Sequence, residues 1–133
     1  MSTTTTNATS LAGRILLALL FIGSGLGKAA AYGATAQYMS ASGLPAVSVL
    51  LPLTILVELG SGLLLATGYK ARWAALLLAL FLIPVTLVFH PFWGLDPQAA
   101  QLQQIHFMKN VAIMGGLLTV FAFGPGRWSL ERQ

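Results

Sequence analysis

Four apolar runs, each long enough to cross a bilayer, constrain this chain more than any other feature of its sequence. They cover about residues 11–32, 44–67, 73–92 and 97–123. A transmembrane helix needs about 20 mainly apolar residues. Because apolar and polar residues do not alternate within the runs, the strands of a transmembrane barrel are excluded. The sequence therefore predicts an all-α integral membrane protein, a four-helix bundle.

The composition excludes a soluble enzyme. Only 8% of the 133 residues are charged, whereas a soluble domain has about 25%. The chain has no cysteine, which excludes disulfides, thiol relays and iron–sulfur clusters, and its two histidines and three carboxylates predict no metal site. Basic residues stand singly at the ends of apolar runs, a pattern typical of membrane topology signals and not of nucleic-acid binding.

The segments outside the runs give further expectations. Residues 1–10 are polar and predict a disordered tail, and residues 11–131 predict a single four-helix transmembrane domain. Small residues at 29–31 leave open a cleaved signal peptide. Residues 34–42 predict a short interfacial helix between helices 1 and 2, with Tyr38 and Met39 in lipid. Asp96 before Pro97 predicts the start of the last helix.

Positive charges are unequally divided between the two ends of the predicted bundle. One end has Arg14, Lys70, Arg72, Arg127 and Arg132, and the other has Lys28 and Lys109. Cytoplasmic loops carry the excess of Lys and Arg. This bias predicts that both termini lie in the cytoplasm.

Lys28 and Glu58 are charged residues within predicted spans, where each costs about 2.5–3.5 kcal/mol on insertion scales. Glu58 precedes Lys70 by 12 residues, roughly 18 Å of helix. Lys28 follows Arg14 by 14 residues, roughly 21 Å. Because the two charges reach the same level on consecutive antiparallel helices, we expect an ion pair, either as a structural clamp or as part of a site.

His90 and Lys109 lie roughly 27 Å from the same end of the bundle. His106 and Asn110 are close to Lys109 on the last helix. The predicted convergent set is Lys28, Glu58, His90 and Lys109. Simpler interpretations stay open, namely a snorkelling lysine, an interfacial histidine and a polar helix contact, as does haem ligation by the two histidines.

Small residues predict where helices approach each other. Gly23 and Gly27 form a GxxxG step on the first helix, and Gly62 and Ala66 repeat the small-residue spacing on the second. Such residues let helix backbones come close in lipid.

Several motifs together carry a family resemblance. They are Gly13-Arg14-Ile15-Leu16-Leu17, Phe21-Ile22-Gly23-Ser24-Gly25 with Lys28, Glu58-Leu59-Gly60-Ser61-Gly62, His90-Pro91-Phe92-Trp93, Phe107-Met108-Lys109-Asn110 and Gly124-Pro125-Gly126-Arg127-Trp128. In order and spacing, over about residues 11–131, the chain resembles the DoxX family of small bacterial membrane proteins, and within it the YphA-like inner-membrane branch. Glu131 stands where the family usually has aspartate.

The resemblance implies a bacterial inner-membrane protein that works in a quinone-linked oxidoreductase or a redox-defence system. Family relatives include the membrane subunit of thiosulfate:quinone oxidoreductases. Quinone is then the expected cofactor, bound without a covalent link, and a redox protein the expected partner besides the bilayer; a homo-oligomer is also left open. Wider similarity reaches four-helix proteins of the vitamin K epoxide reductase type, whose cysteine pairs are missing here.

These expectations assign roles to the polar residues. The candidate catalytic residues are Glu58 and His90, and the candidate ligand-binding residues are Lys28, Lys109, Asn110 and Trp93. The ligand would be a quinone-like head group or another small apolar molecule. Because no dinucleotide-binding glycine fingerprint is present, electrons would come from a partner or another quinone. The alternative is a non-enzymatic membrane scaffold, receptor or small-solute permease.

Overall fold

A computed structural model describes residues 1–131. Within this part the chain forms five helices: α1 Thr3–Ala30, α2 Tyr32–Ala41, α3 Val47–Thr67, α4 Ala71–Phe89 and α5 Pro97–Phe123. All of them except α2 are long and apolar enough to cross a bilayer. The prediction of an all-α membrane bundle with a short segment between its first two spans is confirmed.

The first helix begins earlier than the sequence suggested. Ser2 is its N-cap, and the Ser2 Oγ accepts a hydrogen bond from the backbone N–H of Thr5 at 3.2 Å. Residues 3–10, expected to belong to a disordered tail, are therefore helical. A serine cap satisfies one of the free N–H groups at the helix start, and no glycine or proline interrupts the backbone ladder before residue 11.

Other helix ends follow the sequence signals. The Asp96 Oδ2 accepts a hydrogen bond from the N–H of Ala99 at 3.3 Å, and Pro97 takes the first helical position, so the predicted start of α5 is confirmed. Gly68 ends α3 with φ 75°, a left-handed conformation in which glycine is favoured.

The spans pack in the order α1, α3, α4, α5, with each packed mainly against the next. Contact between α1 and α5 is slight; Leu17 faces Gly116 there. The buried core includes Ala18, Phe21, Leu65, Ala75, Leu78 and Leu117. Alanines on α4 allow its neighbours to come close.

The face that α1 turns toward α3 differs from the predicted one. A Cβ atom on Gly25 would lie 2.8 Å from the Leu59 Cγ, so this glycine is required by the contact. Gly23 and Gly27 would meet no described atom within 4 Å, and the predicted GxxxG contact is wrong. The GxxxG motif predicts the spacing of small residues but not which face of α1 packs against α3. That face contains Gly25 and, one turn earlier, the buried Phe21.

The short helix α2 folds against the bundle. Met39, expected in lipid, is instead 5% exposed. Tyr38 is exposed, and its ring stacks on Phe89 of α4 with centroids 5.4 Å apart. The apolar residues of α2 are not confined to one face, so the sequence did not define which side would pack inward.

One end of the bundle joins the beginning and the end of the chain, and we call it the terminal end. Arg14 is 2% exposed, and its guanidinium donates to the carbonyls of Pro125, of Trp128 at 2.8 Å and of Ala66 at 3.4 Å. Ser10 Oγ donates to the Pro125 carbonyl at 3.1 Å. Both ends of the described chain therefore lie on one side of the bundle.

Candidate functional site

A cavity of about 490 Å³ lies in the half of the bundle away from the terminal end, which we call the cavity end. Its wall is formed by α1, α2, α3 and α4, with one residue from α5, and is mainly apolar. Its polar side chains include Ser24, Lys28, Thr54, Glu58, His90 and Asn110. Leu53 and Pro84, which are exposed on α3 and α4, also line it, so the cavity reaches the lipid-facing surface between these helices.

An ion pair occupies the wall between α1 and α3. The Lys28 Nζ lies 2.9 Å from the Glu58 Oε1 and 3.3 Å from the Oε2. It also donates to the Ser24 Oγ at 2.6 Å, one turn earlier on α1. The Glu58 side chain is 4% exposed. This contact confirms the predicted pairing. The prediction was correct because the rise per residue, counted from the terminal end, places both residues at the same level.

His90 ends α4 and faces α5. Its Nδ1 lies 3.0 Å from the Gln103 Oε1, and its ring stacks on His106 with centroids 5.2 Å apart. An amide oxygen only accepts, so Nδ1 is the donor in this contact, which leaves Nε2 outside it. The sequence reasoning missed Gln103, although Gln103, His106 and Asn110 repeat at the helical spacing of one face.

Asn110 links the cavity wall to the interface between α4 and α5. Its Nδ2 donates to the Thr86 Oγ1 at 3.0 Å, and that hydroxyl donates to the Leu82 carbonyl at 2.6 Å. Thr86 is buried. This chain of hydrogen bonds fixes the Asn110 amide between the two helices, where an unpaired polar group would be costly.

Two candidate residues do not line the cavity. Lys109 is exposed, because it lies about 100° around α5 from Asn110, which faces inward. Trp93 is 58% exposed and packs edge-on against Phe92 and Phe107. The predicted convergence of four groups therefore holds for three of them, Lys28, Glu58 and His90.

The polar groups suit a ligand that has an apolar body and a small polar head. Lys28 and Asn110 present hydrogen-bond donors, and the Glu58 carboxylate and the His90 ring can accept protons. Ligand sites of about 300–1,000 Å³ are usually apolar with a few placed polar groups. The cavity has both the size and the chemistry of such a site.

Comparison with known proteins gives a consistent result. The DoxX family model matches residues 9–91. The chain is 40% identical over 122 residues to "Inner membrane protein YqjF" of Escherichia coli (strain K12), covering 92% of this chain and 88% of the relative. It is 30% identical over 123 residues to "Inner membrane protein YphA" of the same organism, with the same coverage of 92% and 88%.

A more distant similarity extends to eukaryotes. The chain is 26% identical over 80 residues to "ER-derived vesicles protein ERV29" of Saccharomyces cerevisiae, covering 60% of this chain and 26% of that protein. No solved structure matches the chain. Since the family model spans more than half of the residues and both inner membrane relatives align over nearly the whole chain, this four-span membrane protein belongs to the DoxX family.

Proposed function

We propose that this protein is a membrane component of a quinone-linked redox system and that its cavity binds a quinone head group. The observation that carries the proposal is the Lys28–Glu58 pair, whose carboxylate is buried, in the wall of a mainly apolar cavity. The cavity reaches the lipid-facing surface at Leu53 and Pro84, so a ligand dissolved in the bilayer has a direct entry.

The cavity wall supplies complementary groups for a quinone. Quinone carbonyls accept hydrogen bonds, which the Lys28 ammonium can donate, while Phe81 and Phe89 offer apolar contact to the ring. Reduction of a quinone by two electrons also consumes two protons. Glu58 and His90 are the wall residues suited to take up protons from water and pass them to the reduced quinone, and a redox partner protein would supply the electrons.

The proposed location is the bacterial inner membrane, with both termini in the cytoplasm. Two observations support the membrane: both relatives aligned over most of the chain are named inner membrane proteins, and the chain has four candidate spans. The bias of positive charges toward the terminal end supports the orientation.

Quinone binding can be tested on the protein purified in nanodiscs. Short-tailed ubiquinone and menaquinone analogues are titrated by calorimetry, and ligands that co-purify are identified by mass spectrometry. We expect Glu58→Gln, His90→Ala and Lys28→Met to weaken binding about tenfold each, which corresponds to about 1.4 kcal/mol. Lys109→Met is the matched control, because this lysine is exposed and outside the cavity, and it should bind as the unmodified protein does.

Two outcomes would oppose the proposal. Either no analogue binds, or binding is equal in all variants that circular dichroism shows to be folded. In both cases the non-enzymatic scaffold, receptor or permease becomes the better interpretation, and the polar cluster is then a device that fixes helix register.

A further inference from the structure

Three polar side chains connect the cavity with the start of α5. His90 lines the cavity, its Nδ1 is hydrogen-bonded to Gln103 at 3.0 Å, and its ring stacks on His106 at 5.2 Å. Gln103 and His106 lie one turn apart on α5. Neither Gln103 nor His106 has a role in the quinone site as proposed above.

The start of α5 extends beyond the apolar part of the bilayer. The helix has 27 residues, roughly 40 Å, whereas the hydrocarbon core is about 30 Å thick. Its first turns carry exposed glutamines at 98, 101 and 104. His106 is nine residues after Pro97, roughly 14 Å along the helix, and is partly exposed. His106 therefore lies near the interface between lipid and water, while His90 faces the cavity.

The two rings stack on each other, and two charged imidazoles in this arrangement would repel each other. The other titratable groups facing His90 across the cavity are Lys28 of α1, Tyr38 of α2 and Glu58 of α3. The Lys28 charge is compensated by Glu58 at 2.9 Å, and Lys109 on α5 is exposed and outside the cavity.

We propose that His106 exchanges protons with water on behalf of His90, so that the two imidazoles form a proton path from the start of α5 into the cavity. This inference rests on the proposed function, since a quinone site needs a supply of protons. Gln103 is the positioning residue, because its amide oxygen holds the Nδ1 proton of His90 and leaves Nε2 to take up the second.

The sequence offers a clean experiment, since it contains only two histidines. Protein labelled with ¹⁵N-histidine is placed in nanodiscs without ligand, and the ring nitrogen signals are followed against pH, with His90→Phe and His106→Phe providing the assignments. We expect two coupled titration steps in the unmodified protein and a single step for His90 in His106→Phe. Exchange of the His90 ring protons with water should slow by roughly tenfold or more in that variant.

Controls separate a proton path from a packing effect. Phenylalanine keeps an aromatic ring against His90, and His106→Gln serves if the phenylalanine variant fails to fold. Arg127→Met, which removes an exposed charge at the terminal end, far from both rings, should leave the titration unchanged. The inference is overturned if the titration of His90 and the exchange of its ring protons are the same with and without His106.

The outcome is separable from that of the quinone proposal. The titration needs no ligand. If the histidines are coupled but no quinone binds, only the quinone site is refuted. Where an analogue binds, it is reduced chemically in the cavity and proton uptake is followed by stopped flow. We expect uptake to slow by roughly tenfold in His106→Phe while affinity is unchanged; unchanged uptake would refute the path alone.

Discussion

Among the described residues, Lys28 is the one charged partner of the Glu58 carboxylate. Glu58 lies within the α3 span with 3% of its surface exposed, and Lys28 contacts both of its carboxylate oxygens. Removing one member of a buried pair leaves the other charge uncompensated, which costs more than replacing both. Ser24 holds the ammonium from the other side at 2.6 Å. The three side chains form one electrostatic unit across α1 and α3.

The pair gives a quantitative prediction. We expect Lys28→Met alone to lower the free energy of unfolding by about 3–5 kcal/mol, because it leaves the buried Glu58 carboxylate without its partner, and Glu58→Gln to lower it by less, because Lys28 is partly exposed. The double variant should lose less than the sum of the two. Reversible unfolding in mixed micelles, arranged as a double-mutant cycle, measures the coupling. A coupling energy near zero would show that the two residues are not energetic partners.

Glu131 predicts a pH dependence at the terminal end. Its pKa lies below the ordinary value of 4.5, because its carboxylate accepts a hydrogen bond from the Lys70 backbone N–H at 2.7 Å and pairs with the Lys70 ammonium at 3.2 Å. A carboxyl group with a lowered folded pKa stabilises the protein above its ordinary pKa. That contribution is lost as pH falls through the folded pKa.

We therefore expect Glu131→Gln to lower the melting temperature slightly at neutral pH, with the difference from the unmodified protein disappearing in acid. Thermal unfolding in detergent, measured from about pH 7 to about pH 3, covers this window. A difference that grows toward acid would contradict the assignment.

At the scale of helices, the contact between α1 and α3 depends on glycines that the structure distinguishes sharply. A Cβ atom on Gly62 would lie 2.8 Å from the Ile22 Cγ1 and 3.3 Å from the Ile22 backbone nitrogen. The Ile22 side chain can move away from an added Cβ atom, but the Ile22 backbone can move away only if α1 and α3 separate. The predicted role of Gly62 in helix packing is thus confirmed.

This contact predicts opposite effects for two equal substitutions. Gly62→Ala should destabilise the bundle by about 1–3 kcal/mol through overpacking. Gly23→Ala, at a position with no described atom within 4 Å, should be neutral or stabilise by up to about 1 kcal/mol, because alanine favours helix. The same unfolding assay compares them. Equal losses from both would mean that α1 turns a different face to α3.

The sequence determined the spans and the level of each polar residue, but it did not determine which way each helix faces. Rise per residue placed Lys28 opposite Glu58 correctly. Lys109 and Gly23 were assigned to inward faces and lie on outward ones. In lipid both the packed and the exposed faces of a span are apolar, so the hydrophobic pattern that orients a helix in a soluble protein is missing here. Met39 on α2 illustrates the same difficulty.

At the scale of the whole molecule, the two ends are chemically different. The terminal end is tied by Arg14 and by the Lys70–Glu131 pair, whereas the cavity end has the polar groups of the site. Hydrogen bonds between Arg14 and residues after α5 place both ends of the described chain on the same side of the bundle. Arg132, counted in the charge bias, lies outside the described residues.

The charge bias predicts which side of the membrane this is. Reporter fusions after Gln133 should indicate the cytoplasm, and fusions within residues 98–104 should indicate the periplasm, because positive residues accumulate on the cytoplasmic side. Activity of an alkaline phosphatase fusion and fluorescence of a green fluorescent protein fusion give complementary readouts. A periplasmic C-terminus would refute this orientation.

The contacts of Arg14 also have a consequence for biosynthesis. The carbonyls of Pro125 and Trp128 that bind its guanidinium are 111 and 114 residues further along the chain. Since the chain is made from its N-terminus, α1 exists long before these acceptors have been synthesised. Until residues 125–128 have been made, the Ala66 carbonyl is the one partner available to the arginine among those that the described residues provide. A chain that stops short of Pro125 never gains the others, so the terminal end distinguishes a chain that contains these acceptors from one that was cut short before them.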